Sequence, residues 1–310
     1  MKLWRDTAAI GAAATLLLIV LACALAPLYA AQVAGGDPFR SNIDGVLADG
    51  REVQAENTAG LGLGSTPVGP AWRGEYLLGA DAQGRDVAAR LLYGGRTSLL
   101  IAGCATVLCL GMAAVWGVVA GFLGGAVDAV LAGLLDLLWA FPVYLLAISL
   151  SIVLISDGLR LGPLLVTADS LALPAGILAV VYVPYVARPI RAQVLALRHD
   201  EFVVAAAARG GAPLHILRRH ILPHVWPTLL GFAPVVAAMT LLTEAALSIL
   251  GIGVQPPGAS WGTLLGDGQS LIYTRPMVAI APGLAVAATV LALNVLGEAV
   301  RDALDPRANR

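Results

Sequence analysis

Charge is scarce in this chain. Asp, Glu, Lys and Arg make up 13% of its 310 residues, hydrophobic residues make up 58%, and mean hydropathy is +0.82. A soluble globular chain carries roughly a quarter charged residues, so this composition implies the bilayer as solvent. Lysine is rarer still, Lys2 being the only one. A phosphate-binding loop ends in Gly-Lys-Ser/Thr, so the chain cannot hydrolyse ATP by that route. The zinc-protease pattern HExxH is missing as well. Cysteine is sparse and odd in number: Cys23, Cys104 and Cys109 lie inside apolar runs without metal-ligand spacing and read as small buried hydrophobes. His220 and His224 stand four apart, but Pro223 lies between them and no acid joins them. That pair reads as part of a polar loop rather than a metal site.

What the chain does have is a series of apolar blocks about 20 residues long, the length that crosses a hydrocarbon core of roughly 30 Å. Six stand out, at 7–31, 98–123, 131–155, 171–187, 225–249 and 277–296. None alternates with a period of two, which excludes a barrel, and only helices then satisfy the backbone in lipid. The fold class is therefore an all-α polytopic membrane protein of about six transmembrane helices. The first block follows "MKLWRD" like a signal peptide, but a signal core runs roughly 7–15 residues. This run continues past Cys23 to Ala31, as an uncleaved first span would.

Orientation follows from basic residues in short loops. Placing the N-terminus inside puts Lys2 and Arg5, six arginines of 188–224 and three in the tail on one side. The short loops opposite hold only Arg160 and Arg275, and the inner turn at 124–130 has no basic residue. This divides the chain into a tail with first helix (1–31), an extracytoplasmic segment (32–97), a transmembrane domain (98–298) and a cytoplasmic tail (299–310). Segment 32–97 holds six arginines against eight acids and is rich in Gly and Pro, which predicts irregular structure; its "GLGLGSTPVG" lacks the dinucleotide glycine spacing. Two acids fall in or near spans, Asp136 and Glu244. A charge at the bilayer centre costs roughly 2.5–3.5 kcal/mol on insertion scales, so each is either a proton relay or substrate contact or, the favoured reading, a packed, hydrogen-bonded or neutral acid, or one nearer the interface than the span boundaries suggest.

The polar interval 188–224 contains "EFVVAAAARGGAPLHILRRHILP" at 201–223. Asp200 is a good N-cap, 201–209 are strong helix formers, Gly210 or Gly211 supplies a left-handed stop, and Pro213 suits the first turn of a second helix. A helix over 201–209 is only about 13 Å long and too short to stand alone in water. Phe202, Ala205, Ala206 and Arg209 share one face at i, i+3, i+4, i+7 spacing. Either a cytosolic partner with a groove closes on that face, or the helix packs on its own membrane domain.

This stretch resembles the cytoplasmic EAA loop of binding-protein-dependent ABC importer permeases. Val204-Ala205-Ala206, Gly210 and Leu222-Pro223 match in spacing, while Val204 stands in place of the glutamate and His220 in place of an isoleucine. "LGADAQGRDVAARLLYGGRTSLL" (78–100), the stretches at 124–148 and 243–262 and the tail "NVLGEAVRDALDPR" resemble the dipeptide, oligopeptide and nickel branch, second-permease type. The resemblance implies a type I ABC importer transmembrane domain in a bacterial plasma (inner) membrane, with both termini cytoplasmic. It further implies a second permease subunit, two ATP-binding subunits that hold ATP and Mg, an extracytoplasmic substrate-binding protein, lipid contact and no nucleic acid. No catalytic, cofactor or metal residue is assigned to this chain. Glu201, Phe202, Ala205, Ala206, Arg209, Gly210, Gly211 and Pro213 are assigned to ATPase coupling, with helix 201–209 as the lever. Peptides, nickel chelates or glutathione are the implied solutes.

Overall fold

The computed structural model describes residues 6–304, apart from 35, 48, 57–64, 73, 162–163 and 168–169. Lys2, Arg5, the tail arginines 307 and 310, and the glycine run at 60–64 lie outside the described residues. Among the described residues eleven α-helices dominate. In chain order they are α1 (Thr7–Ala24), α2 (Ala26–Gln32), α3 (Val87–Leu123), α4 (Gly125–Ala140), α5 (Val143–Asp157), α6 (Ala172–Leu197), α7 (Glu201–Ala208), α8 (Pro213–Ile216), α9 (Leu222–Ile249), α10 (Trp261–Gln269) and α11 (Met277–Leu304). Two short antiparallel pairs accompany them: Gln54–Glu56 with Ser65–Pro67, and Leu159–Leu161 with Leu164–Val166.

Among the described residues five helical stretches are long and apolar enough to cross a membrane, and there are six if α4 and α5 count as one span. The sequence predicts one span over 131–155, and there the chain bends by 92° between α4 and α5. Proline explains the break. Pro142 has no N–H to continue the ladder, and its ring drives Phe141 into an extended conformation (φ −87°, ψ 135°). Helix α3 begins at Val87, eleven residues before the predicted span, because the Asp86 carboxylate caps it through the Ala89 N–H. At 1.5 Å per residue its 37 residues extend about 55 Å, well beyond the hydrocarbon core.

The bundle is built on α3 against α6, which run parallel. Gly117 and Gly121 of α3 make this approach possible. A Cβ at Gly117 would lie 2.7 Å from the Ala187 carbonyl oxygen, and one at Gly121 2.8 Å from Val194 Cβ. With no hydrophobic gain between helices in lipid, such close backbone packing carries association. Around the seam lie Cys109, Ala113, Val186, Ile190 and Val194, all buried. Outward faces are apolar instead, with Leu18, Val107, Val130, Leu145 and Leu284 more than half exposed, as lipid contact requires. Cys23 and Cys109 are buried as predicted, but Cys104 sits on the exposed stripe of α3 between Leu100 and Val107. A helix surface has two sides, and hydropathy alone does not distinguish them.

The described residues of 37–86 are more ordered than their composition predicts. Leu47, Val53, Tyr76 and Ala80 form a small core of their own. The Tyr76 hydroxyl donates to the Gly84 carbonyl (3.2 Å) and accepts from Asn42 Nδ2 (2.8 Å), tying its turns together. Arg275, just before α11, donates from Nε to the Pro67 carbonyl (2.6 Å) and fastens the segment to the bundle.

Candidate functional site at the α7 end

The start of α1, the turn between α3 and α4, α7, the start of α9 and the end of α11 share one end of the bundle. Here α7 is a helix of eight residues with defined ends. Asp200 adopts the extended N-cap backbone (φ −69°, ψ 144°), but its side chain makes no capping bond. The cap comes from its carbonyl, which accepts from the Val203 and Val204 N–H groups at 3.0 Å. At the other end Gly210 takes φ +80°, its N–H reaches the Ala207 carbonyl, and the Gly211 N–H reaches that of Ala206. These are the paired bonds of a Schellman stop, in which a residue with a Cβ would be strained at Gly210. Pro213 then opens α8 at a position where a missing N–H costs nothing.

Between α8 and α9 the residues Leu217–Ile221 form a π turn. Pro223 cannot donate to the preceding turn, and the Leu222 N–H instead reaches five residues back to Leu217. The turn carries Arg218, Arg219 and His220 at the mouth of α9.

Structure divides the face that helical spacing assembles. Val203 and Ala206 are buried, at 5% and 7% exposure, against Ile216, Ile221 and Val225 of the chain's own core. Ala206 therefore packs inward, and its small size serves the chain's own packing. Glu201, Phe202, Ala205, Arg209 and Gly210 are exposed, together with Val204, Ala207 and Ala208; Gly211 is half-buried and Pro213 exposed. Phe202 leans back onto α9, stacking on His224 at 5.3 Å between ring centroids with His220 beyond at 6.2 Å. Arg209 Nε donates to the Ala205 carbonyl (3.3 Å). Val204, at 54% exposure, stood in the sequence only as the replacement for the family's glutamate, and Leu214, at 64%, carried no expectation. Only the tertiary packing of Val203 reveals that Val204 must point away.

Ion pairs brace this end. Arg191 of α6 grips Asp128 of α4 with two donors, Nε to Oδ1 and Nη2 to Oδ2 (2.7 Å). Asp128 lies in the turn that lacks basic residues, and its acid anchors a basic residue of a neighbouring helix. Asp136 pairs with Arg188, whose guanidinium also lies 5.1 Å from the Trp139 ring centroid. Both groups of that pair are more than a third exposed, so it contributes little stability.

Glu244 is the opposite case. It is 1% exposed, and it accepts from Ser98 Oγ on α3 (2.8 Å) and from Ser248 Oγ one turn along α9 (2.7 Å). Ser98 in turn accepts from the Trp261 N–H at the start of α10 (3.1 Å), and Ser248 from the Val254 N–H (3.2 Å). The carboxyl thus joins two spans, a loop and α10, the structural role favoured for it. Residues 258–262 read Gly-Ala-Ser-Trp-Gly, the spacing of a hydrolase nucleophile elbow. Ser260, however, is fully buried and caps α10 in a capping box with Thr263, so its hydroxyl is held by the Thr263 N–H and by the Glu244 carboxyl. Among the described residues no three His, Cys, Asp or Glu side chains gather to hold a metal.

A bundle of membrane-crossing helices that presents one short anchored helix beyond its end fits the transmembrane component of a transporter. The chain belongs to the family described as binding-protein-dependent transport system inner membrane component, which matches residues 113–310. It is 35% identical over 239 residues to the dipeptide transport system permease protein DppC of Alkalihalophilus pseudofirmus, covering 75% of this chain and 72% of that one. It is 34% identical over 233 residues to the glutathione transport system permease protein GsiD of Escherichia coli O1:K1, covering 75% and 73%. Among solved structures, a chain of the inward-facing MetNI methionine ABC transporter matches with a TM-score of 0.54 at 16% identity, covering 70% of this chain and 96% of that one. The fold is thus that of a type I ABC importer transmembrane domain, and the chain is a multi-pass permease subunit of a binding-protein-dependent importer.

Proposed function

We propose that this permease imports peptides or a related small solute such as glutathione or a nickel chelate, with a non-identical second permease completing the pathway. Two ATP-binding subunits hold ATP and Mg and dock at the α7 end, while a soluble receptor delivers solute at the other. The bundle itself performs no hydrolysis. Both termini lie in the bacterial cytoplasm, and 32–97 lies outside.

One observation carries this reading. Val203 and Ala206 fix α7 to the bundle, while Val204, Ala205, Ala208 and Leu214 present apolar surface beyond the ends of the spans. A short helix held rigidly by one face and left apolar on another transmits a push from a partner's groove into α9 and the α3–α6 seam. Closure of the ATPases would then shift the bundle between inward-open and outward-open states. The names of its relatives favour peptide-like solutes, since DppC and GsiD are named for dipeptide and glutathione transport. The test is purification of the chain with the ATPases and receptor encoded beside it. ATP hydrolysis should require the ATPases and rise when dipeptide-loaded receptor is added. Hydrolysis by the lone chain, or failure of both ATPases to co-purify, would sink the reading.

A further inference from the structure

The opposite end of the bundle holds a cavity of about 660 Å³ that coupling does not use. The start of α3, the end of α9, the loop after it, α10 and the turn at 81–86 enclose it, and its polar lining includes Gln83, Arg85, Arg90, Gln255, Thr263 and Asp267. Two of these are guanidiniums withdrawn from solvent, the Arg85 side chain at 8% exposure and that of Arg90 at 2%. Arg85 donates from Nε to Asp81 Oδ2 (2.7 Å) and from Nη2 to Asp267 Oδ2 (3.0 Å). Arg90 donates from Nη1 to the Pro38 carbonyl (3.1 Å) and from Nη2 to that same Asp267 oxygen (3.4 Å).

The donors outnumber these acceptors. A guanidinium carries five N–H donors in a planar fork, and each of these two satisfies only part of its set. Arg90 Nε is buried and lies 3.3 Å from Asp81 Oδ2, an ion pair that makes no hydrogen bond. A buried donor whose hydrogen bond is unmade costs the desolvation of its N–H, and a planar anion entering the cavity would meet both guanidiniums, which line it. Asp267 is the exchangeable member: one oxygen serves both arginines, and its side chain is 38% exposed whereas that of Asp81 is 2% exposed. An incoming carboxylate matches the fork geometry and can take the place that Asp267 holds.

We propose that Arg85 and Arg90 form a carboxylate-binding site at this mouth, which takes the carboxylate end of a solute in competition with Asp267. The site rests on the importer reading for its place in transport, since it would meet solute as the receptor releases it. Its chemistry can be tested apart from transport.

The assembled complex in nanodiscs would carry Gln83→Cys, with the exposed Cys104 changed to alanine, and be labelled with a water-soluble maleimide. Alanyl-alanine should slow labelling of the cavity thiol, while alanyl-alanine amide and inorganic phosphate should not. Arg85→Gln should remove the protection. Asp267→Asn should move it the other way, lowering the half-protecting dipeptide concentration about tenfold, the order set by one hydrogen bond to a charged group. That inverse effect keeps the test decisive even if the arginine variant fails to assemble. Equal protection by the amide or by phosphate overturns the proposal, as does unchanged or weaker protection in Asp267→Asn. Receptor-stimulated ATP hydrolysis, measured on the same nanodiscs, reports on the importer reading separately. Stimulation without carboxylate selectivity removes the site and leaves the permease role standing.

Discussion

Ala205 and Ala206 are neighbours in sequence and opposites in structure, and substituting each with tryptophan separates docking from coupling. Ala206 is 7% exposed and shares its pocket with Val203, Ile216, Ile221 and Val225. What holds α7 on the bundle is burial of Val203, about 1.5–3 kcal/mol, together with one methyl group of Ala206, about 0.8 kcal/mol. Overpacking by a large side chain costs about 1–3 kcal/mol, and Ala206→Trp also loses the methyl contact. The penalty is comparable with the attachment, so the helix should detach. Ala205 points outward, where substitutions change stability by about 0.5 kcal/mol or less. Ala205→Trp should leave α7 seated while its ring occupies the surface proposed for the ATPase groove. Limited trypsin digestion reads the first effect, because Arg209 lies at the end of α7: cleavage there should accelerate in Ala206→Trp and stay unchanged in Ala205→Trp. Receptor-stimulated ATP hydrolysis in the assembled complex reads the second, and it should fall about tenfold or more in Ala205→Trp, which corresponds to roughly 1.4 kcal/mol. Normal stimulation in that variant would refute the docking surface, and unchanged trypsin sensitivity in Ala206→Trp would refute the anchoring.

Gly121→Leu should disrupt the α3–α6 seam, since a Cβ there already meets Val194 at 2.8 Å; membrane abundance should fall severalfold, whereas Gly103→Leu, with open space beside it, should be tolerated. Glu244→Ala would leave the Ser98 and Ser248 hydroxyls without their acceptor, at about 1–3 kcal/mol each, and should lower thermal stability in detergent, while Glu244→Gln, keeping one carbonyl acceptor, should lower it less. For topology, cysteine placed at Ser41 should react with an impermeant maleimide in intact cells, and cysteine placed at His199 only after the membrane is opened; the reverse pattern would invert the orientation.

Much of this protein was legible in its residues because the bilayer imposes a simple code. Length and hydropathy identify a spanning segment without reference to its neighbours, and the single lysine rules out a phosphate loop without any coordinates. The same holds for α7: its C-terminal stop needs a residue that tolerates positive φ, and a glycine pair after four alanines announces one. Such features are local, fixed by a few consecutive residues and the solvent. The bend at Pro142 was equally available in the sequence, but it hid inside an apolar run whose length alone satisfied a straight span.

Other features depend on which surfaces meet, and hydropathy is blind to that in lipid. Cys104 and Cys109 look alike in the sequence, yet only Cys109 faces α6. Four residues spaced for one face of α7 were divided when Val203 and Ala206 met Ile216 and Ile221, leaving Val204 and Leu214 exposed. Asp136 and Glu244 were indistinguishable as acids among apolar residues, until packing gave one an exposed arginine and the other two buried serines. The charged cavity joins Arg85 and Arg90 to Asp267 across more than 170 residues of chain. Sequence determined the solvent, the helices and the ends of α7, because those follow from local propensity and the thickness of the membrane. Tertiary structure alone decided which polar groups converge, because convergence is a property of helix packing between segments far apart in the chain.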